Sequence, residues 1–204
     1  LKKKITRPIG WWTNSSLSKI LWIKDNHPGI FDKTYKFIQV DGYLYHKLTG
    51  KFVTDYSNAI YGIMDINTMS WSQELADATG IPIEKWPDIH SPGTSLGELT
   101  GKAAEETGLT AGLPVIMGGA DVQCSALGLG MTDPGPAKAT TGTGTFVVSV
   151  LEGKPVFDPG GNLFTNPHVI KGKWVLEGAM PGTGLLLKWF KDQFSTYEVN
   201  KAKE

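Results

Sequence analysis

The sequence is poor in cysteine: Cys124 is the only one in 204 residues. A single cysteine excludes an internal disulfide and a cysteine-rich zinc site, and it fits a reducing, cytoplasmic setting. Excess charge of either sign is also missing, with 20 Lys plus Arg against 20 Asp plus Glu. That balance removes the electrostatic argument for nucleic acid or an anionic membrane as a partner. No apolar run approaches the roughly 18 to 20 residues that span a bilayer. The charges of Leu1-Lys2-Lys3-Lys4 are not followed by the apolar core of a signal peptide. The chain opens on Leu rather than Met, so an interior segment of a longer protein is expected.

Several catalytic motifs are lacking too. There is no Gly-x-x-x-x-Gly-Lys-Ser/Thr loop, no Gly-x-Ser-x-Gly elbow and no His-Glu-x-x-His helix. His27, His46, His90 and His168 stand far apart and are expected to be structural rather than metal ligands. Gly128-Leu129-Gly130 and Gly142-Thr143-Gly144 lack the third glycine of a dinucleotide fingerprint.

Glycine, by contrast, is abundant, with 25 residues that become dense from Gly118 to Gly184. Before that region the pattern is helical. Ser16–Asn26 carries apolar residues at helical spacing, with Ser15 or Ser16 as cap and His27-Pro28-Gly29 as stop. Further helices are expected over Asp41–Leu48, with Asp41 as N-cap, from Ser70 to Thr79, and over Thr100–Thr107. Pro114–Met117 reads as a short buried strand and Asp121–Leu129 as a helix behind it. Beyond Pro134-Gly135-Pro136 the chain reads as strands. Ala137–Thr141 and Thr145–Leu151 flank the Gly142–Gly144 turn, and Leu163–Ile170 pairs with Trp174–Glu177. A helix from Gly184 to Phe194 follows, then a polar tail, Tyr197–Glu204, expected to fray. The break between the two characters falls near Met131–Pro136.

One constellation carries chemistry. Strand Pro114–Met117 runs through Gly118-Gly119 into Asp121, at a helix start. In open α/β sheets, ligands bind at the carboxyl ends of strands. The turn Thr141-Gly142-Thr143-Gly144-Thr145 offers backbone N–H groups and hydroxyls suited to phosphate oxygens. An acid near such a turn suits phosphoryl transfer to an alcohol: it accepts the hydroxyl proton and helps hold Mg²⁺. Spacing alone leaves two alternatives open, since Asp121 would equally serve as a helix cap and Gly142–Gly144 as a plain hairpin.

The motif Gly118-Gly119-Ala120-Asp121-Val122-Gln123, with Leu127-Gly128-Leu129-Gly130, resembles the signature around the catalytic aspartate of the FGGY carbohydrate kinases. Thr141–Phe146 resembles that family's phosphate turn. Asp41–Leu44, Leu48–Gly50, Thr54–Ala59, Trp71 and Gly80–Pro82 match upstream, and Gly178–Gly184 with Lys188–Asp192 matches downstream. The resemblance runs in family order over nearly the whole chain. It implies an α/β, ribonuclease-H-like ATPase fold of the actin/hexokinase type, present in part. Residues 1–131 would be the later portion of the first, sugar-binding domain, and residues 132–204 the start of the second, nucleotide-binding one. It implies ATP and Mg²⁺ as cofactors and a small sugar or polyol as substrate. Asp121 would be the base, with a water-mediated hold on the metal. Gly142, Thr143 and Gly144 would bind nucleotide phosphate, Gly119 would contact substrate, and Gln123 would contact substrate or a metal-bound water, with plain packing as the open alternative for Gln123. Trp11–Ser16 falls near a substrate-wall loop. Asn166–Ile170 resembles the autoinducer-2 kinase branch and xylulose-kinase-like proteins, which does not choose a sugar; the homo-oligomeric state is left open. The family's opening Asp-x-Gly-Thr turn and its adenosine-binding glycine motif have no match here, so the isolated chain is expected to be inactive.

Overall fold

A computed structural model describes residues 15–195 and Lys201. Lys2–Lys4, Trp11–Asn14 and, apart from Lys201, the tail from Tyr197 lie outside the described residues.

The first part is built from short helices. Helix α1, Ser16–Asn26, starts where the Ser15 side chain accepts a hydrogen bond from the Leu17 N–H. His27-Pro28-Gly29 ends it but does not end helical structure. Pro28 is the first residue of α2, Pro28–Lys33, because proline suits a position whose N–H has no intrahelical partner. Helix α3, Val40–Thr49, is capped at Gln39, so Asp41 lies in its first turn rather than at the N-cap. Gly50, at φ 77°, closes it in the left-handed region that favours glycine. Strand β1, Val53–Asp55, leads directly into α4, Tyr56–Ala59, which the Asp55 side chain caps. Strands β2, Met64–Asp65, and β3, Ser70–Trp71, pair antiparallel. Helix α5, Gln73–Thr79, therefore begins after Ser70, at the Ser72 cap. A 3-10 turn, Ile83–Lys85, precedes β4, Asp88–His90, which pairs parallel with β1. Strand β5, Ser95–Glu98, is followed by α6, Gly101–Thr107, with Thr100 as cap.

Strand β6, Pro114–Ile116, pairs antiparallel with β5 in a two-stranded sheet. It is only half-buried, with Val115 inside and Ile116 half exposed, where the sequence pattern suggests a buried strand. Helix α7, Asp121–Gly128, follows. Then β7, Ala137–Thr141, β8, Thr145–Glu152, β9, Leu163–Pro167, and β10, Lys173–Met180, form one antiparallel sheet in the order β7-β8-β10-β9. Helix α8, Thr183–Phe194, closes the described chain. Its Leu186, Leu187 and Phe194 are each more than 60% exposed, so its apolar stripe faces outward.

Among the described residues, four apolar clusters position the rest, one of them Tyr56, Ala59 and Met64. Leu17, Ile20 and Phe31 pack with Leu75, Ile81 and Trp86 under α1. Val53, Leu96, Val115 and Met117 bind β1, β5 and β6 together. Ala126, Met131, Val148, Val150 and Val175 seat α7 on the large sheet. The turn between β9 and β10 ties the two parts. His168, fully buried, faces the Met131 carbonyl at 3.1 Å through Nε2, while its Nδ1 accepts from the Ile170 N–H. Lys173 donates to the Thr132 carbonyl and pairs with Asp133 at 2.6 Å. His168 is thus structural, as expected, and holds the segment that links the two parts.

Candidate active site

The turn Gly118–Ala120 delivers the chain from β6 to α7. Its backbone is held from the first part of the molecule by two hydroxyls. The Gly118 N–H donates to Tyr45 Oη at 2.7 Å, and the Ala120 N–H donates to Ser57 Oγ at 2.9 Å. Ser57 Oγ in turn donates to Asp55 Oδ1. Asp55 is itself fixed: Oδ1 accepts from the Ser57 and Asn58 N–H groups, and Oδ2 from the Asn58 side-chain amide at 2.6 Å. The same amide donates to Asp41 Oδ2 at 3.3 Å. Burial, with the nearby Asp55 charge adding to it, pushes the Asp41 carboxyl above its ordinary value.

Gly119 is required by space. A Cβ there would lie 2.4 Å from Val169 Cγ1 and 3.1 Å from Ser57 Oγ. This glycine brings the backbone against a second-part side chain.

Asp121 is the first residue of α7; the N-cap is Ala120, which makes no side-chain cap bond. The capping alternative is therefore not realised in its usual form. Asp121 is exposed, and its Oδ1 accepts only a local hydrogen bond from the Val122 N–H at 2.8 Å. Gln123 is placed differently. Only 2% exposed, it is buried on α7, and its Oε1 has no hydrogen-bond partner. Cys124 lies one turn beyond Asp121 and donates to the Gly119 carbonyl at 3.4 Å. Partial burial raises its thiol, and the Asp55 and Asp121 charges push it the same way.

The second candidate element is the β7–β8 turn. Thr141 pairs with Thr145 across it, and the Gly142 N–H donates to the Gly144 carbonyl at 2.8 Å. Gly142 and Thr143 are exposed, while Gly144 is buried under the Met180 carbonyl. The start of α8 lies against this turn. The Gly184 N–H donates to the Thr143 carbonyl, and Thr145 and Thr183 hydroxyls meet at 2.8 Å.

The two elements are carried on packed bodies. Lys138 on β7, the strand leading to the turn, donates to the Val122 carbonyl at 3.2 Å and to Ser125 Oγ on α7. Tyr45, Asp55 and Ser57 were not singled out as site residues from the sequence. Asp55-x-Ser57 is legible as a local helix cap, but its partner Ala120 stands 63 residues away. Among the described residues no group of three or more His, Cys, Asp or Glu could hold a metal ion. No helix among them is long and apolar enough to cross a membrane.

Residues 2–128 match the N-terminal domain of the FGGY family of carbohydrate kinases. The chain is 38% identical over 185 residues to an autoinducer-2 kinase of Yersinia enterocolitica, covering 90% of this chain and 35% of that protein. It therefore spans about a third of the length of the curated relatives it matches. Among solved structures, a ligand-bound xylulose kinase of Lactobacillus acidophilus superposes with a TM-score of 0.84 at 26% identity, over 93% of this chain and 38% of that one. A Plasmodium falciparum glycerol kinase with ADP gives 0.83 at 27% identity, over 94% and 39%. The fold is thus part of the actin/hexokinase-type sugar-kinase fold. With the signature motifs, the domain match and these superpositions in agreement, the chain belongs to the FGGY family of carbohydrate kinases.

Proposed function

We propose that this chain carries the proton-accepting part, and one phosphate-binding part, of an ATP-dependent kinase acting on a hydroxyl of a small sugar or polyol. The observation that carries this reading is Asp121. It is exposed at the start of α7, on a helix packed against the strand that leads into the Gly142–Gly144 turn. In the reaction the substrate oxygen attacks the γ-phosphorus of ATP, ADP leaves, and Asp121 takes the hydroxyl proton. Gly142 and Thr143 are exposed; the Gly142 N–H is given to the Gly144 carbonyl, so the Thr143 N–H and hydroxyl are the groups suited to the nucleotide phosphates. Residues 1–131 then belong to the sugar side and 132–204 to the nucleotide side.

Mg²⁺ fits this donor set in one way only. A single exposed carboxylate supplies at most one contact, directly or through water, and phosphate oxygens and water complete an octahedral shell. Bound there, the ion would neutralise phosphate charge. A buried Gln123 makes packing its first role, with its free Oε1 the one atom left to take a donor. A cytoplasmic location is part of the proposal, consistent with a single free cysteine.

The test uses the whole gene product in which these residues occur, with ATP and a panel of pentuloses and polyols. Asp121→Asn is expected to lower kcat by about 10² or more, as for loss of a positioned base. Near-normal turnover in that variant would remove Asp121 from the chemistry. Sugar binding without any ATP-dependent turnover in the wild type would instead identify a non-catalytic sugar-binding or regulatory remnant of such a kinase.

A further inference from the structure

We propose that Tyr45 and Ser57, with Asp55 behind Ser57, are positioning residues: they set the Gly118–Ala120 turn and through it the carboxylate of Asp121. The proposal rests on Asp121 being the base.

The geometry is specific in three ways. First, two consecutive contacts bracket one glycine. Gly118 is held by Tyr45 across 73 residues and Ala120 by Ser57 across 63, while Gly119 between them has no room for a side chain. A three-residue turn fixed at both ends and wedged in the middle has almost no freedom left. Second, the direction of each bond is forced. The Ser57 hydroxyl has one proton, and Asp55 Oδ1 takes it, so a lone pair faces the Ala120 N–H. Asp55 is 1% exposed and Ser57 is fully buried, so water does not compete for either role. Burial also raises the Tyr45 phenol, which keeps its proton while its oxygen accepts from Gly118. Third, the clamp and the helix are anchored on different bodies. Helix α7 is seated on the large sheet through Ala126 and Lys138. Tyr45 and Ser57 belong to α3 and α4. Loss of either hydroxyl therefore frees the turn in front of Asp121 while α7 keeps its seat.

That separation gives the role a signature. Misplacing a reacting group by about 1 Å can cost up to about 10²-fold in rate without touching ground-state binding. In the full gene product, Tyr45→Phe and Ser57→Ala are expected to lower kcat about tenfold or more, with the sugar KM within about twofold of wild type. Ser57→Thr, which keeps the hydroxyl, should restore most of the loss that Ser57→Ala causes. In the same variants the amides of Gly118 and Ala120 should exchange with deuterium at least about tenfold faster, with the amides of α7 unchanged. Wild-type kcat in both Tyr45→Phe and Ser57→Ala would overturn the proposal. So would a fall in kcat accompanied by equal loss of sugar binding and of α7 protection, which is the mark of general loosening. Asp121→Asn, run in parallel, separates the two readings. If it keeps its rate, the base assignment fails and this proposal with it. If it loses its rate while the hydroxyl variants do not, only the positioning role fails.

Discussion

Gly119→Ala is the sharpest probe of how the turn before Asp121 is packed. The added Cβ would sit 2.4 Å from Val169 Cγ1, more than 1 Å inside the usual carbon–carbon contact of about 3.5–4.0 Å. Gly119 is not among the glycines with positive φ, so alanine faces no conformational penalty there. The cost is steric. Overpacking of this kind costs about 1–3 kcal/mol, and the stiffer unfolded chain returns about 0.4–1 kcal/mol. A net loss of about 1–2 kcal/mol follows. For a chain of this size that is a fall in Tm of roughly 2–8 °C. Val169→Ala alone removes two methyl groups from a buried side chain and should cost about 1.6 kcal/mol. In the double variant the new Cβ enters the space that Val169 Cγ1 vacates, so the two losses should not add. Thermal and urea melts of wild type, both single variants and the double variant give the coupling energy, expected at about 1–2 kcal/mol in favour of the double. Additivity within about 0.5 kcal/mol would refute the reasoning, because the clash would then be relieved without Val169.

Two further substitutions test other parts of the site. Gly184→Ala would place a Cβ 1.9 Å from the Gly142 carbonyl oxygen, which is backbone and cannot rotate away. Its Tm should fall further than that of Gly119→Ala, and no side-chain truncation nearby should restore it; a wild-type melt would show that α8 does not press on the turn. Asp41→Asn tests the half-buried acid. Because burial and Asp55 raise the folded carboxyl above 3.8, the folded state binds the proton more tightly than the unfolded state, so wild-type stability falls as pH rises from 3.8 through the raised value. The variant lacks that loss. Its advantage in urea midpoint should be larger at pH 7 than below pH 3.8, and an advantage independent of pH would refute the assignment.

Much of the fold is written locally. Helix α1 has the bounds its pattern predicts because Ser15 supplies a cap acceptor at the first apolar turn. Gly50, Gly80 and Gly108 end their helices in left-handed geometry, the conformation for which glycine is suited. The β7–β8 hairpin forms around Gly142–Gly144 as expected, although neither glycine has positive φ; Gly144 is favoured instead by the close Met180 carbonyl. Other features have no local signal. Asp41 is a good cap residue two positions too late, because Gln39 takes the cap with its side chain already bonded to Ser16 Oγ and the Asn58 carbonyl. Strands β1 and β4 are three residues each, too short to show a period, and they pair in parallel across the intervening chain. Asp121 was readable as a chemical group because glycines and a helix start mark it. Gln123 was not readable as buried, since its burial depends on where α7 lies and not on its own neighbours in sequence.

The path of the backbone into Asp121 is a tertiary property, and the β9–β10 turn shows why. Val169 presses on Gly119, and its carbonyl accepts from Tyr56 Oη at 3.4 Å. Its neighbour His168 is bonded to Met131, and Lys173 to Thr132, both in the segment that joins the two parts. Burial pushes the Tyr56 phenol up to about 12, with the Asp55 charge acting in the same direction, so this donor keeps its proton through the neutral range. One turn of the large sheet therefore touches the linking segment, the helix that Asp55 caps and the glycine beside the carboxylate. Any rotation of the sheet relative to the first part must strain or break at least one of those contacts. The turn before Asp121 is thus fixed from both sides, by hydroxyls of the first part and by an aliphatic side chain of the second. The backbone that leads into Asp121 is therefore placed by contacts from both parts of the chain, so the proposed role of this residue can be disturbed from either side.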